Sequence, residues 1–376
     1  MARSPGAYVR GSTAKFYEWL ETAAGAQSLP EGPPVWICGD CHIGNLGPIA
    51  NADGDIEIQI RDLDHTVIGN PAHDLIRLGL SLASTARGSD LPGVTTAMML
   101  EQMIEGYEQA FRKITAKIER PETVKTTLQD SMRRTWKHLA KERIENTEPT
   151  IPLGKRFWPI SLEEKKAITR LFEKEHVRRL VTSLRMRENN APIKVLDAAY
   201  WRKGCSSLGY LRFAILLHVG DGDYEDDGLC LIDMKEAVKT VAPRHSKARI
   251  PNDYGERVVM GAQHVAPFLG ERMLAETFLG KPVFLRELMP QDLQLEIAQL
   301  NREEAVKIAK YLAFVVGIAH ARQMDKAARK RWHNELQQHR SKTLDAPSWL
   351  WKSVVELMAI HETAYLEHCR RYAGKS

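Results

Sequence analysis

Asp40, Asn45, Asp62 and Asp64 fall within one stretch, residues 38–64, which reads CGDCHIGNLGPIANADGDIEIQIRDLD. Asp40 and Asn45 share a short loop broken by Gly39 and Gly44, and Asp62 and Asp64 close the strand that follows. An all-oxygen set of this kind suits a hard cation such as magnesium, which takes one or two carboxylates together with phosphate and water. It also suits phosphoryl transfer. That reaction asks for positioning, for a carboxylate to take or orient the acceptor proton, and for metal ligands on the phosphates. Asp40 fits the first carboxylate role, with Asn45 and Asp62 as metal ligands and Asp64 as an added acid. The pair around Leu63 leaves open which aspartate is the primary ligand.

Residues this far apart meet only if the chain doubles back. Residues 35–38 read as a short buried strand that runs into the loop. Residues 46–61 read as a β-hairpin whose turn holds Asn51, Asp53 and Gly54. Its return strand alternates, with Ile56, Ile58 and Ile60 on one face and Glu57, Gln59 and Arg61 on the other. This predicts Leu46 and Arg61 side by side. Before the loop, residues 13–24 read as an amphipathic helix. After it, Asn70-Pro71 marks a turn into a largely helical region, residues 73–189. Strands then follow at 194–219, 229–235 and 283–288, with helices at 256–264, 303–322 and in the tail.

Other groups of residues invite other readings. Cys38 and Cys41 form a lone CxxC with no second pair, which argues against zinc, and the context argues against a redox motif. The acidic run from Asp221 to Asp227 lacks the glycine and glutamate of a calcium loop and reads as a solvated hairpin tip. The basic helices at 111–145 and 325–342 carry interleaved acids and read as solvated faces. Arg10 reads either as a brace for the loop or as an anion contact.

The chain has 376 residues and a formal charge of +5. That permits an anionic ligand such as a nucleotide without arguing for nucleic acid. No apolar run approaches the ~18–20 residues of a membrane span. The start has no secretory signal pattern, and five scattered cysteines fit a reducing, cytoplasmic setting.

GDCHIGN followed by a strand and RDLDHTVIGNPAHDL resembles the aminoglycoside phosphotransferase and choline kinase branch of the kinase-like fold. The resemblance implies Asp40 as catalytic base, with His42 on the motif's histidine. It implies Asn45 and Asp62 as magnesium ligands, and Asp74 as a brace for the loop. Only 39 residues precede Asp40, so the nucleotide clamp is expected downstream, a circular permutation. Its expected parts are the turn with Gly204, Ser206, Ser207 and Gly209, then Lys235 on a strand as the phosphate-pairing lysine. Glu256 or Gln263 would orient that lysine, and residues 284–288, with Arg286, would carry adenine contacts. The chain as a whole is similar to the bacterial domain of unknown function 2252 family, on ARSPGAYVRG, WICGDCHIGNLG, GCSSLGYLRF, LIDMKEA and GERVVMGAQ.

The expectation is an α+β, two-lobed, kinase-like fold, circularly permuted, with a small antiparallel sheet lobe and a large helical lobe. Residues 1–190 would form the catalytic-loop and helical lobe, 191–295 the β-rich clamp, and 296–376 helices returning to the helical lobe. The expected activity is ATP- and magnesium-dependent transfer to an unknown hydroxyl acceptor, a small molecule rather than a protein, nucleic acid or membrane. The alternatives are a nucleotide-binding regulator without transfer activity and a metal-dependent phosphoesterase.

Overall fold

The structure is a computed structural model that describes residues 5–22, 29–112, 117–145, 149–184, 187–202, 209–221, 228–295, 301–338, 340 and 345–372. It is an α+β protein with small antiparallel sheets and a larger helical part.

Two short helices, α1 (Pro5–Gly11) and α2 (Thr13–Leu20), open the chain. Strand β1 (Val35–Ile37) leads to the loop and pairs antiparallel with β4 (Val67–Gly69). Between them lie a 3₁₀ turn (Ile43–Asn45) and a hairpin of β2 (Leu46–Ala50) and β3 (Ile56–Ile60). Leu46 pairs with Ile60, and the Arg61 amide donates to Asn45 O at 2.9 Å, so the register sits one residue from the expected Leu46–Arg61 pairing.

Helix α3 (Pro71–Gly88) starts sharply because Asn70 caps it through the Ala72 amide and Pro71 occupies the first turn. It packs with α4 (Gly93–Arg112), α11 (Arg302–Ala321) and α13 (Ser348–Tyr372) into one apolar core. Helices α4 and α11 approach closely because Gly106 has no side chain: a Cβ there would meet Lys310 O at 2.0 Å. α5 (Glu122–Met132) adds Val124 and Leu128 to this core, and α12 (Lys326–Gln337) adds Trp332 and Leu336.

The six-stranded sheet runs β5 (Phe157–Trp158), β6 (Ile193–Trp201), β7 (Arg212–Val219), β8 (Leu229–Glu236), β10 (Lys281–Leu288) and β9 (Met273–Phe278), all antiparallel. One face, with Phe213, Ile215, Ile232 and Leu285, packs with α7 (Leu162–Glu173) and α8 (Glu175–Thr182). The other face, with Ala214, Leu216, Leu231 and Leu288, packs with α6 (Trp136–Arg143). The helices that pack on these two apolar clusters come from residues before 190, so those cores do not break at the expected 190/191 boundary. Helix α9 (Tyr254–Val265) and the short α10 (Pro267–Gly270) link β8 to β9 and sit between the sheet and β1. β4 and β9, each with weak alternation, were not expected from the sequence. No helix among the described residues is long and apolar enough to cross a membrane.

Candidate active site

The loop after β1 is fixed through its backbone. The amides of Cys38 and Gly39 donate to the two carboxylate oxygens of Asp74 at 2.7 and 3.0 Å. Gly39 has φ +75°, and a Cβ there would meet His65 O at 2.2 Å, so both the turn and the close approach require glycine. Asp74 is fully buried in the first turn of α3, where a carboxylate is favoured by the helix dipole. Behind it, His320 Nε2 lies 3.2 Å from Asp74, and Tyr107 OH lies 2.9 Å from His320 Nδ1. The Trp332 indole N–H donates to Tyr107 OH. An indole only donates, so each partner is satisfied if Tyr107 donates to Nδ1 and His320 Nε2–H donates to Asp74. The sequence reading placed Asp74 as the brace but missed His320, Tyr107 and Trp332, which lie more than two hundred residues from one end of the relay to the other.

Asp40 is held by a residue the motif did not indicate. Arg77 sits one turn beyond Asp74 on the same face of α3 and donates Nε and Nη2 to Asp40 Oδ1 at 3.1 and 2.7 Å. It is fully buried and also donates to Val9 O and Thr13 Oγ1, tying the loop to α1 and α2. An Asp-x-x-Arg spacing inside a helix was the available signal. Oδ2 of Asp40 carries no hydrogen bond among the described residues. His42 Nε2 is 3.8 Å from it, beyond hydrogen-bond reach. Burial holds the His42 imidazole down to about 4, so it is neutral at pH 7.

Asn45 is a buckle between loop and hairpin. Its Oδ1 accepts the Asp62 amide at 2.7 Å, and its Nδ2 donates to Asp62 O at 2.8 Å and Asp40 O at 3.3 Å. An amide oxygen has a second lone pair, and Asn45 lines the cavity described below. Asp62 is exposed to the cleft and lies among charged side chains. Burial would raise its pKa; Lys235 and then Arg286 outweigh that and hold it well below the usual carboxylate range. Asp64 is ion-paired with Lys235, which comes from the end of β8. Burial would lower the Lys235 pKa, but Asp64 and Asp62 raise it overall.

Around these groups lies a cavity of about 510 Å³ that touches Asp40, His42, Asn45, Asp62 and Asp64. A smaller one of about 150 Å³ joins Asp62 and Asp64 to Lys235, Arg212 and Arg286. The sheet face above them is charged at one end: Asp233 accepts from Arg212 at 2.9 and 2.6 Å and from Arg286 at 3.2 Å. Arg61, Arg143 and Arg286 all line the larger cavity. Burial first, and then Arg143 and Arg286, bring the Arg61 guanidinium down to about 10. Burial also lowers Arg143.

Several expected clamp residues fall elsewhere. Gly204, Ser206 and Ser207 lie outside the described residues. Gly209 is described, with φ +86° in the turn before β7. Glu256 and Gln263 are exposed on α9, so neither orients Lys235. The inward face of α9 instead presents Arg257, which donates to the carbonyls of Thr66, Asp64 and Val238. The expected adenine contacts on β10 are also corrected. That strand is paired on both edges, and α6 covers its apolar end. The carbonyls just beyond it, Pro290 O and Gln291 O, are taken by Arg134 and Ser131. Arg286 therefore faces the acidic cluster rather than a base site. Cys38 and Cys41 are free, buried thiols, and burial pushes Cys38 well above its ordinary value. Of the acidic run, residues 222–227 lie outside the described residues.

Among the described residues no group of three or more His, Cys, Asp or Glu side chains is placed to hold a metal by protein ligands alone. Two oxygen ligands with phosphate and water suffice for magnesium, and Asp62 with Asn45 offers that number. No curated protein and no solved structure matches the chain. A family-level match spans residues 1–371, and the chain belongs to the family described as uncharacterized protein conserved in bacteria (DUF2252).

Proposed function

We propose that the protein is an ATP- and magnesium-dependent phosphotransferase of circularly permuted, kinase-like architecture acting on a hydroxyl acceptor. The observation that carries this reading is the convergence on one cleft of Asp40, Asp62 and Lys235, from a loop, a hairpin end and a distant sheet. The order around Lys235 adds support: strand, helix, then two strands, with the lysine on an inner strand facing the acids. In kinases the corresponding lysine lies on a strand of the small lobe, an asparagine and an aspartate hold magnesium, and a loop aspartate takes the acceptor proton.

Asp62 and Asn45 would hold the metal, with Asp64 beside them. Bound there, magnesium would neutralise charge on the donor phosphates. Lys235 is paired with Asp64 and moves onto a donor phosphate when one enters. Arg286 holds the same end of the phosphate chain. Asp40 presents the Oδ2 that Arg77 leaves open. It accepts the proton of the acceptor hydroxyl as the acceptor oxygen bonds the γ-phosphorus. The bond from that phosphorus to the bridging oxygen breaks, and ADP leaves with the electron pair. His42, neutral and 3.8 Å away, shapes the pocket without competing for the proton.

Calorimetry on the full chain should show ATP binding only with a divalent ion. Asp40→Asn should keep that binding and lose roughly 10²–10⁴-fold in transfer or ATP turnover. Full activity in Asp40→Asn sinks the base assignment, and absence of nucleotide binding sinks the reading. A second reading, a nucleotide-binding regulator without transfer, is favoured by one feature: the buried Arg77 guanidinium holds Asp40 in an ion pair, as a purely structural carboxylate would be held. Metal-dependent binding with no turnover in the wild-type protein would select it.

A further inference from the structure

We infer that the arginines facing the larger cavity form a binding site for a phosphate monoester, so that the hydroxyl acceptor is itself a phosphorylated compound. The anion site stands on the charges alone; its role as acceptor site rests on the phosphotransferase reading.

The charges do not balance within the cavity. Three of its carboxylates have their own cation behind the wall: Asp40 has Arg77, Asp64 has Lys235 and Asp292 has Arg272. The cations that line it are not matched in this way. Among the described residues, Arg61 bonds only the main-chain carbonyl of Asp292, at 3.3 Å. Arg286 shares Asp233 with Arg212, two guanidinium groups on one carboxylate. Arg143 shares Glu142 with Arg134 in the same way. Arg10 lies at the mouth, with no ion pair among the described residues. Asp62 alone offsets this surplus from inside.

The hydrogen-bond inventory agrees. The Nε–H groups of Arg61, Arg143 and Arg286 are buried, and none has an acceptor among the described residues. Buried donors of this kind are costly to leave unpaired, and a guanidinium fork matches the oxygens of a phosphate or carboxylate. Several forks converging on one space favour the dianion of a phosphate monoester. A cationic acceptor such as an amino sugar would meet like charge here.

The donor phosphates do not account for the whole wall. Lys235 and Arg212 line the small cavity beside Asp62 and Asp64. Arg143 and Arg10 line only the larger cavity, the one that also holds Asp40. Arg143 therefore separates the two sites.

The test uses inorganic phosphate as probe, titrated into the full chain at constant ionic strength, with and without magnesium and a non-hydrolysable ATP analogue. Phosphate should bind in both cases. Arg143→Met should weaken it by about tenfold or more while leaving analogue affinity within about twofold. Arg143→Lys, which keeps the charge and loses the fork, should weaken it less. Phosphate binding that is absent from the wild type or unmoved by Arg143→Met overturns the site, and so does an equal loss of analogue affinity. Should Arg143→Met not fold, the site must still show as a rise in wild-type melting temperature with phosphate over chloride; no rise overturns it. If phosphate binds and the analogue does not, the transferase reading and the acceptor role fall, and the anion site holds.

Discussion

Two buried aspartates anchor the two halves of the cleft, and they do it differently. Asp74, under the loop, spends its oxygens on the main-chain amides of Cys38 and Gly39 and on His320. Asp233, on the sheet, accepts from the guanidinium groups of Arg212 and Arg286. The first fixes a backbone; the second fixes charges. A backbone fixed by one side chain holds Asp40 and Asn45 in place whatever ligand is bound. Charges fixed by one another can be shared with an incoming anion. The loop half is therefore built to position and the sheet half to bind.

Removing the loop anchor should have the largest effect. Asp74→Ala leaves two amides and His320 without their acceptor inside the core. The expected loss is about 3–5 kcal/mol, in the range for breaking a buried, hydrogen-bonded pair from one side. Urea unfolding of the variant measures it. A loss under about 1 kcal/mol would show that the loop holds its shape without Asp74 and would remove the contrast between the halves.

The loop half was legible in the sequence because its parts are local. Asp40, Asn45, Asp62 and Asp64 lie within one short run, glycines mark the turn, and the hairpin alternates, so spacing brings them together, while the place of Asp74 was implied by the motif resemblance. The sheet half was legible only as strands. Lys235 could be placed at a strand end, but its partner could not. Asp64 is far away in sequence, whereas Glu256 and Gln263 are near, and proximity in sequence favoured the wrong residues. The α6 cover was missed for a related reason. Trp136, Leu139 and Ala140 were submerged in a basic stretch whose charges dominate its pattern, yet all three are buried. Fully burying a large apolar side chain contributes roughly 1.5–3 kcal/mol, so this helix belongs to the core of the sheet face. Arg77 showed only as an Asp-x-x-Arg spacing, and the relay behind Asp74 was hidden because a buried polar network has no periodicity to read.

Acid should separate the halves next. His42, His73 and His361 are each held down to about 4, burial being the first cause in every case. His42 lies in the loop, His73 on α3, and His361 on α13, which packs on α3. In the unfolded chain each titrates near 6.5. Between those values the unfolded chain binds a proton that the native state refuses, so stability falls as pH drops from about 6.5 to 4. The ceiling for one histidine is about 3 kcal/mol. Asp62 works at lower pH with a related sign. Its native value is depressed, so its contribution is complete above the unfolded value near 3.9 and is lost only below that. Hydrogen exchange at pH 5 should show the loop and helical core opening before the six-stranded sheet. His42→Asn should flatten the decline between pH 6.5 and 4. Equal protection in both halves at pH 5 would break the comparison.

The smallest effect tests the binding half from its outer surface. Glu256 and Gln263 sit on the solvent side of α9, while Arg257 on the inner side holds the carbonyls of Asp64, Thr66 and Val238. Glu256→Ala and Gln263→Ala should each change stability by less than about 0.5 kcal/mol, as surface substitutions usually do. They should leave nucleotide affinity unchanged in calorimetry. The reason lies in Lys235: its ammonium is already paired with Asp64, so a carboxylate from α9 has nothing left to orient. A tenfold loss of nucleotide affinity in Glu256→Ala would mean that α9 turns on ligand binding and delivers Glu256 inward. Lys235 would then exchange Asp64 for Glu256 when the phosphates arrive, and the sheet half would position as well as bind.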